Sequence, residues 1–165
     1  MKQTDPLLQK SVSDSAVEMT ELVLPNDTNL LNNLLGGRLM HWMDVAAGMV
    51  GSRHANRVVV TAAVDNLLFH HPIHLGELVN IKARISWTGH SSMEILVHVT
   101  AENALTGQKR LANEAFFTFV ALDDAGSPTP VPGLRLETDE EETLYRQAKE
   151  RRRIRLQLKK QKKLL

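Results

Sequence analysis

A chain of 165 residues, 42% hydrophobic and 24% charged, is long enough to bury a sizeable core in a single domain. It contains no cysteine, which excludes disulfides, thiolate metal sites and a cysteine nucleophile, and which suits a reducing, cytoplasmic compartment. The formal net charge is +1, but residues 1–136 carry 10 Lys/Arg against 13 Asp/Glu and residues 137–165 carry 10 against 6, so no nucleic-acid-binding face is expected across the body of the fold.

Residues 1–15 read as a flexible polar leader without the apolar core of a signal peptide. Residues 17–24 alternate apolar and polar and predict a first strand, ended by Pro25. The loop that follows is rich in Asn, Asp and Thr, residues that bond their own backbone. It leads to the most apolar helix-length stretch, residues 34–54, which holds one carboxylate, Asp44. Its apolar side chains are spread over much of its surface, so the helix should be buried on most sides. Asp44 shares a face with Ala47, Gly48 and Gly51, which leaves room for another backbone or for a ligand. An acid in such a helix is costly unless paired or used, which makes Asp44 the candidate for chemistry. Gly36 and Gly37 stand at the start of the helix, where backbone N–H groups lack partners within it.

Four further strands are expected over residues 57–64, 77–87, 92–102 and 110–122, joined in the later part by hairpin-length turns. One early helix followed by an antiparallel sheet is an α+β layout, with the sheet wrapped around the helix. Residues 16–133 would form this domain. Residues 134–165 would form a charged helical tail, with Thr138 as a cap, acids first and bases last. Its weak apolar stripe predicts an exposed, partly frayed helix. His70, His71 and His74 sit around Pro72 without a carboxylate at helical spacing, so they read as loop histidines and not as a metal site. No stretch reaches the roughly 18 apolar residues that span a membrane.

Several motifs occur together and in order. They are Leu24-Pro25-Asn26-Asp27-Thr28-Asn29, Asn33 followed by Gly36-Gly37, Met43-Asp44, Arg53-His54, and Val60-Thr61-Ala62-Ala63-Val64-Asp65 with Phe69. After these come Pro72 with Gly76, Ser91-Ser92-Met93-Glu94-Ile95, and Phe117-Thr118-Phe119-Val120-Ala121. The set resembles the hotdog-fold acyl-CoA thioesterases of the brain-type acyl-CoA hydrolase family and their short bacterial relatives. The resemblance implies hydrolysis of fatty acyl-CoA to a free acid and CoA, with neither cofactor nor metal. It implies Asp44 as the catalytic carboxylate and Asn33 as the catalytic asparagine, with Gly36 and Gly37 beside them. Arg53, Arg57, Ser91 and Ser92 become candidates for binding the CoA substrate. In two-domain members Asn and Asp come from different hotdog units. A single-unit chain is therefore expected to share its site across a dimer, within a hexamer built as a trimer of dimers. Many members have His before the Gly pair, where this chain has Leu35.

The chemistry fits those residue types. A thioester carbonyl gains negative charge on attack, and N–H groups at a helix start stabilise it. Asp44 can activate a water or attack directly, and an asparagine amide can orient the water or donate to an oxygen. The competing reading is a hotdog module that binds acyl-CoA without turnover, as a sensor would. A hotdog dehydratase would want a catalytic histidine on the central helix, and His41 does not match that pattern.

Overall fold

Residues 8–162 are described by a computed structural model. The central helix, α1 (Gly36–Ala55), starts where the Gly pair stands and ends at Asn56, which takes a left-handed φ of 50°. Around it lie β2 (Val17–Leu22), β3 (Val58–Asp65), β4 (Leu78–Thr88), β5 (Ser92–Glu102) and β6 (Lys109–Leu122). They form one antiparallel sheet in the order β2-β4-β5-β6-β3, and α1 packs against all five strands. The α+β layout expected from the sequence is present. The alternating residues Val79, Ile81, Ala83 and Ile85 of β4 and Met93, Ile95, Val97 and Val99 of β5 are buried and face Leu39, Met43, Ala46, Ala47 and Val50 of α1.

β4, β5 and β6 are joined by hairpins, as the turn signals predict. β3 departs from that serial order. It pairs with β6 and not with β4, so it forms an edge, and residues 66–77 cross to the far side of the sheet. Pairing on the far edge completes the wrap around α1.

α1 is not buried on most sides. Met40, Val45 and Met49 are each about two-fifths exposed, and they lie beside the open edge of β3, where Val58 is 68% exposed. The small residues on the Asp44 face serve close packing and do not leave space for a ligand: a Cβ on Gly51 would touch Val59 and Met93, and one on Gly48 would touch Phe119.

The expected flexible leader is ordered where it is described. β1 (Gln9–Ser11) pairs in parallel with β7 (Gly133–Arg135), and Val12 and Ser15 are buried. Lys10 Nζ donates to the Arg53 and His54 carbonyls, both at 2.8 Å, and to Asn56 Oδ1 at 2.6 Å, satisfying the C-terminus of α1. Residues 1–7 of that leader lie outside the described residues.

The tail is a helix exposed over most of its length, as expected, but it is not loose. α2 (Asp139–Lys162) has four acids in its first turn, and the Thr138 hydroxyl accepts from the Glu141 amide at 3.2 Å, as a cap should. It is docked on the outer face of the sheet instead of lying free. Ala148 is buried, and Arg151 forms a two-point contact with Glu94 at 2.8 and 3.1 Å. The Arg151 guanidinium stands 3.6 Å from the Phe116 ring centroid, and Arg152 lies over Trp87. Charged pairs and guanidinium stacking hold this helix in place of an apolar stripe.

Candidate active site

The loop between β2 and α1 is a web of asparagine contacts. Asn29 Oδ1 accepts from the Leu31 and Asn33 amides at 2.9 and 3.1 Å, and the Asn29 amide donates to the Asn33 carbonyl at 2.9 Å. Asn32 takes a left-handed φ of 57°, a conformation that asparagine tolerates. These bonds use the Asn29 oxygen, and its two Nδ2 hydrogens have no acceptor among the described residues.

Asn29 and Asn33 line a cavity of about 380 Å³ together with Gly36, Leu39, Phe69 and His71. The Gly36 and Gly37 amides have no acceptor among the described residues, so the first turn of α1 presents free donors there. The two glycines differ in their surroundings. A Cβ on Gly36 would lie 3.2 Å from Phe69 Cζ, whereas one on Gly37 would meet nothing within 4 Å. Gly37→Ala should therefore leave the melting temperature unchanged or slightly raised. A fall of about tenfold in kcat/KM for an acyl-CoA in this variant would mark close passage of substrate over Gly37.

Asp44 lies elsewhere in the same chain. At about 1.5 Å per residue it is about 12 Å along α1 from Gly36. It is half-buried, and Oδ1 accepts a 2.7 Å hydrogen bond from the Thr61 hydroxyl. Thr61 stands on the exposed edge strand, at the register shift of β3. Sequence reasoning misses this residue: a threonine in a β-branched run has no local signature. The signal that could have marked it is its place in the Val60-to-Asp65 motif, which does not by itself show the contact with Asp44, 17 residues earlier.

The proposed substrate residues cluster at the opposite end of the helix. Arg53 donates to the Ala16 carbonyl at 2.8 Å and so ties α1 to the chain before β2. Arg57 lies in a groove with Ser52, Asn56 and Asp124, and its Nε has no partner among the described residues. Ser91 and Ser92 hold the β4–β5 hairpin through their carbonyls, which accept from the Ala121 and Gly89 amides. The start of β5 lies beside Gly51, about 22 Å along the helix from Gly36. One chain thus unites Asn33, Gly36 and Gly37, but brings neither Asp44 nor the arginine and serine candidates to them.

Of the three loop histidines, His70 and His71 line the cavity, and His74 contacts Glu77 at 3.3 Å. Glu77 also receives two hydrogen bonds from Arg110, at 2.6 and 2.7 Å, and Arg110 reaches the Pro72 carbonyl at 2.8 Å. The Arg110 guanidinium, with the His74 amide, holds the Glu77 carboxyl at about 2 despite its burial. A carboxyl depressed in the folded state stabilises the fold above its ordinary value of 4.5, and this contribution is lost as pH falls towards 2. Arg110→Gln should cost about 2 kcal/mol at neutral pH, less than a fully buried pair because Arg110 is partly exposed. The gap in melting temperature between wild type and variant should narrow between pH 4.5 and 2. Thermal melts across that range check it; a gap that stays constant means the pair is not the source.

Residues 31–107 match the thioesterase superfamily. The uncharacterized acyl-CoA thioester hydrolase YkhA of Bacillus subtilis is 43% identical over 138 residues, which are 84% of this chain and 80% of that protein. An acyl-CoA hydrolase of Staphylococcus aureus, solved with butyryl-CoA, CoA and CoA disulfide, is 38% identical, with a TM-score of 0.85 over 93% of this chain and 96% of its own. A hexameric acyl-CoA thioesterase in apo form is 37% identical, with a TM-score of 0.88 over 92% of this chain and 97% of its own. The S. aureus hydrolase has also been solved with an Asp, an Asn or a Thr replaced by Ala. In that protein the Asn precedes the Asp by fifteen positions and the Thr follows it by seventeen. The chain belongs to the thioesterase superfamily, among its hotdog-fold acyl-CoA thioester hydrolases.

Proposed function

We propose that this protein hydrolyses acyl-CoA to a carboxylic acid and CoA at a site completed between two copies of the chain, with Asp44 as the reacting carboxylate. The observation that carries this is the separation within one chain. The Thr61-held Asp44 lies on an exposed apolar face, about 12 Å along α1 from the cavity and free amides at the helix start. A second copy related by a two-fold axis through the β3 edges would run antiparallel. Its Asp44 would then approach this chain's Gly36 and Gly37.

Asp44 either takes a proton from a water that attacks the thioester carbonyl, or attacks the carbonyl itself to give a mixed anhydride that water then opens. In both routes the carbonyl oxygen gains charge and the Gly36 and Gly37 amides face it. The C–S bond breaks, and CoA leaves as a thiolate that takes up a proton. Thr61 fixes the rotamer of Asp44 through one oxygen and leaves the other for the water or the carbonyl carbon.

For the asparagine, Asn29 is favoured over Asn33. Asn29, Asp44 and Thr61 keep the intervals of fifteen and seventeen that separate the three replaced residues of the S. aureus hydrolase, while Asn33 is only eleven before Asp44. The chemistry agrees: with its oxygen bound to two amides, Asn29 offers a fixed N–H donor to the cavity.

The same two-fold arrangement brings the far end of the partner's helix towards this chain's cavity. Of the four candidates there, Arg57 is the strongest for a CoA phosphate, since Arg53 is committed to the Ala16 carbonyl. Ser91 and Ser92 would stand near the nucleotide. Assembly beyond the dimer would follow the hexameric relative, and a cytoplasmic location agrees with the lack of cysteine. Incubating the purified protein with acyl-CoAs from short to long chains and measuring thiol release tests the reading. Release with at least one chain length is expected. Binding of acyl-CoA with no thiol released from any of them would make the protein a non-catalytic acyl-CoA-binding module.

A further inference from the structure

We propose that Arg155 of α2 is a positioning residue for this site: it holds Asp65 and thereby sets the segment that lays Phe69 over Gly36. The inference rests on the function proposed above and extends the site to the C-terminal helix.

Residues 66–77 leave the end of β3, pass the cavity and enter β4. The Phe69 ring covers the first residue of α1 so closely that a Cβ on Gly36 would come within 3.2 Å of it. The segment therefore forms one wall where the thioester would lie, and its course decides the shape of that wall. Its far end is fixed by Arg110, which binds both Glu77 and the Pro72 carbonyl.

The near end begins at Asp65, the last residue of an edge strand, and Asn66 then turns the chain with a left-handed φ of 58°. At such a turn the direction of exit depends on how the preceding residue is held. Asp65 is paired on one side with Phe116 of β6, and its carboxylate receives the guanidinium of Arg155, which is 90 residues away in the chain.

α2 is well placed to act as the anchor. One turn before Arg155, Arg151 binds Glu94, whose side chain is 2% exposed and which also accepts from Ser86 Oγ at 2.8 Å. Arg151 stacks on the ring of Phe116, the same residue that pairs with Asp65. Residues four apart on a helix share a face, so the contact that registers α2 on the sheet also aims Arg155 at Asp65. The Arg155–Asp65 pair is partly exposed on both sides, so it should add little to global stability. Its effect should fall on the local opening of the end of β3, residues 63–65, from which the segment departs.

The full-length chain with Arg155→Gln, and with Arg155→Lys as the conservative variant, separates this from a merely structural role. In Arg155→Gln, amide hydrogen exchange in residues 63–65, the last ladder residues of β3 before the segment leaves it, should rise about tenfold. kcat with an acyl-CoA should fall about threefold to tenfold, as expected for a displaced wall at the reacting centre, with KM and melting temperature nearly unchanged. Arg155→Lys, which keeps the charge, should recover most of both. Unchanged exchange in Arg155→Gln overturns the proposal, as does faster exchange with an unaltered kcat, or loss of both that Lys does not recover. If the wild-type protein releases no thiol, it is the functional reading that fails, and the exchange measurement still decides whether Arg155 positions the segment.

Discussion

Asp44→Asn should lower kcat for acyl-CoA hydrolysis by about a hundredfold or more, the scale of removing a general base. The replacement is isosteric and the position is half-buried at the helix surface, so the fold and melting temperature should persist. The introduced amide could still accept the Thr61 hydroxyl through its oxygen, but it can neither take the proton of an attacking water nor form an anhydride. Thr61→Val is the graded companion. It keeps the β-branched shape that suits β3 and removes only the hydroxyl that donates to Asp44 at 2.7 Å. A hydrogen bond to a charged group is worth about 1.5–3 kcal/mol, so kcat should fall by about tenfold to a hundredfold. Single-turnover kinetics on both variants checks the pair. A wild-type rate in Asp44→Asn removes Asp44 from the chemistry, and a wild-type rate in Thr61→Val means that packing alone holds the carboxylate.

The parts of this molecule that are legible in the sequence are those whose signal is local. The run of apolar residues after Gly36-Gly37 is α1, and alternation over Val79 to Ile85 and Met93 to Val99 is the inner face of β4 and β5. Asp44 stands out because a carboxylate inside an apolar helix is costly without a task. What is not legible depends on partners distant in the chain. The β1–β7 pairing joins three residues near each end of the domain, too few for any periodicity to register. The docking of α2 rests on Arg151 with Glu94 and Arg155 with Asp65, separated by 57 and 90 residues. A search for an apolar stripe cannot see a helix held by guanidinium groups. Within the site, the loop residues 26–33 hold four asparagines with similar turn-forming chemistry. Motif matching singles out Asn33, close to the glycines, and gives no sign that the Asn29 oxygen is bound by the Leu31 and Asn33 amides, the contact on which the proposal for Asn29 rests. The apolar surface of α1 reads as buried on most sides; in one chain Met40, Val45 and Met49 are open.

That open surface leads to the sharpest test. An edge strand with Val58, Val60 and Val64 exposed, beside three exposed apolar residues of α1, is a surface that folded proteins cover. If a second copy covers it, each site takes its asparagine from one chain and Asp44 from the other. Asn29→Asp keeps the oxygen that binds the Leu31 and Asn33 amides and removes the N–H donor, so it should fold and be nearly inactive. Mixing Asn29→Asp chains with Asp44→Asn chains, after dissociation and reassociation, should then restore activity from two inactive proteins. In a random mixture about half the dimers are heterodimers, and each of these has one site with both residues native and one with neither. About a quarter of the wild-type activity per chain should therefore return. The same mixture made with Asn33→Asp in place of Asn29→Asp identifies the asparagine: if Asn29 is the one used, Asn33→Asp alone stays active. Native mass spectrometry with one chain isotopically labelled confirms the exchange. Recovery shows that the carboxylate and the amide meet across the interface, whereas no recovery among demonstrated heterodimers places both in a single chain, and a route across roughly 12 Å along α1 would then be needed.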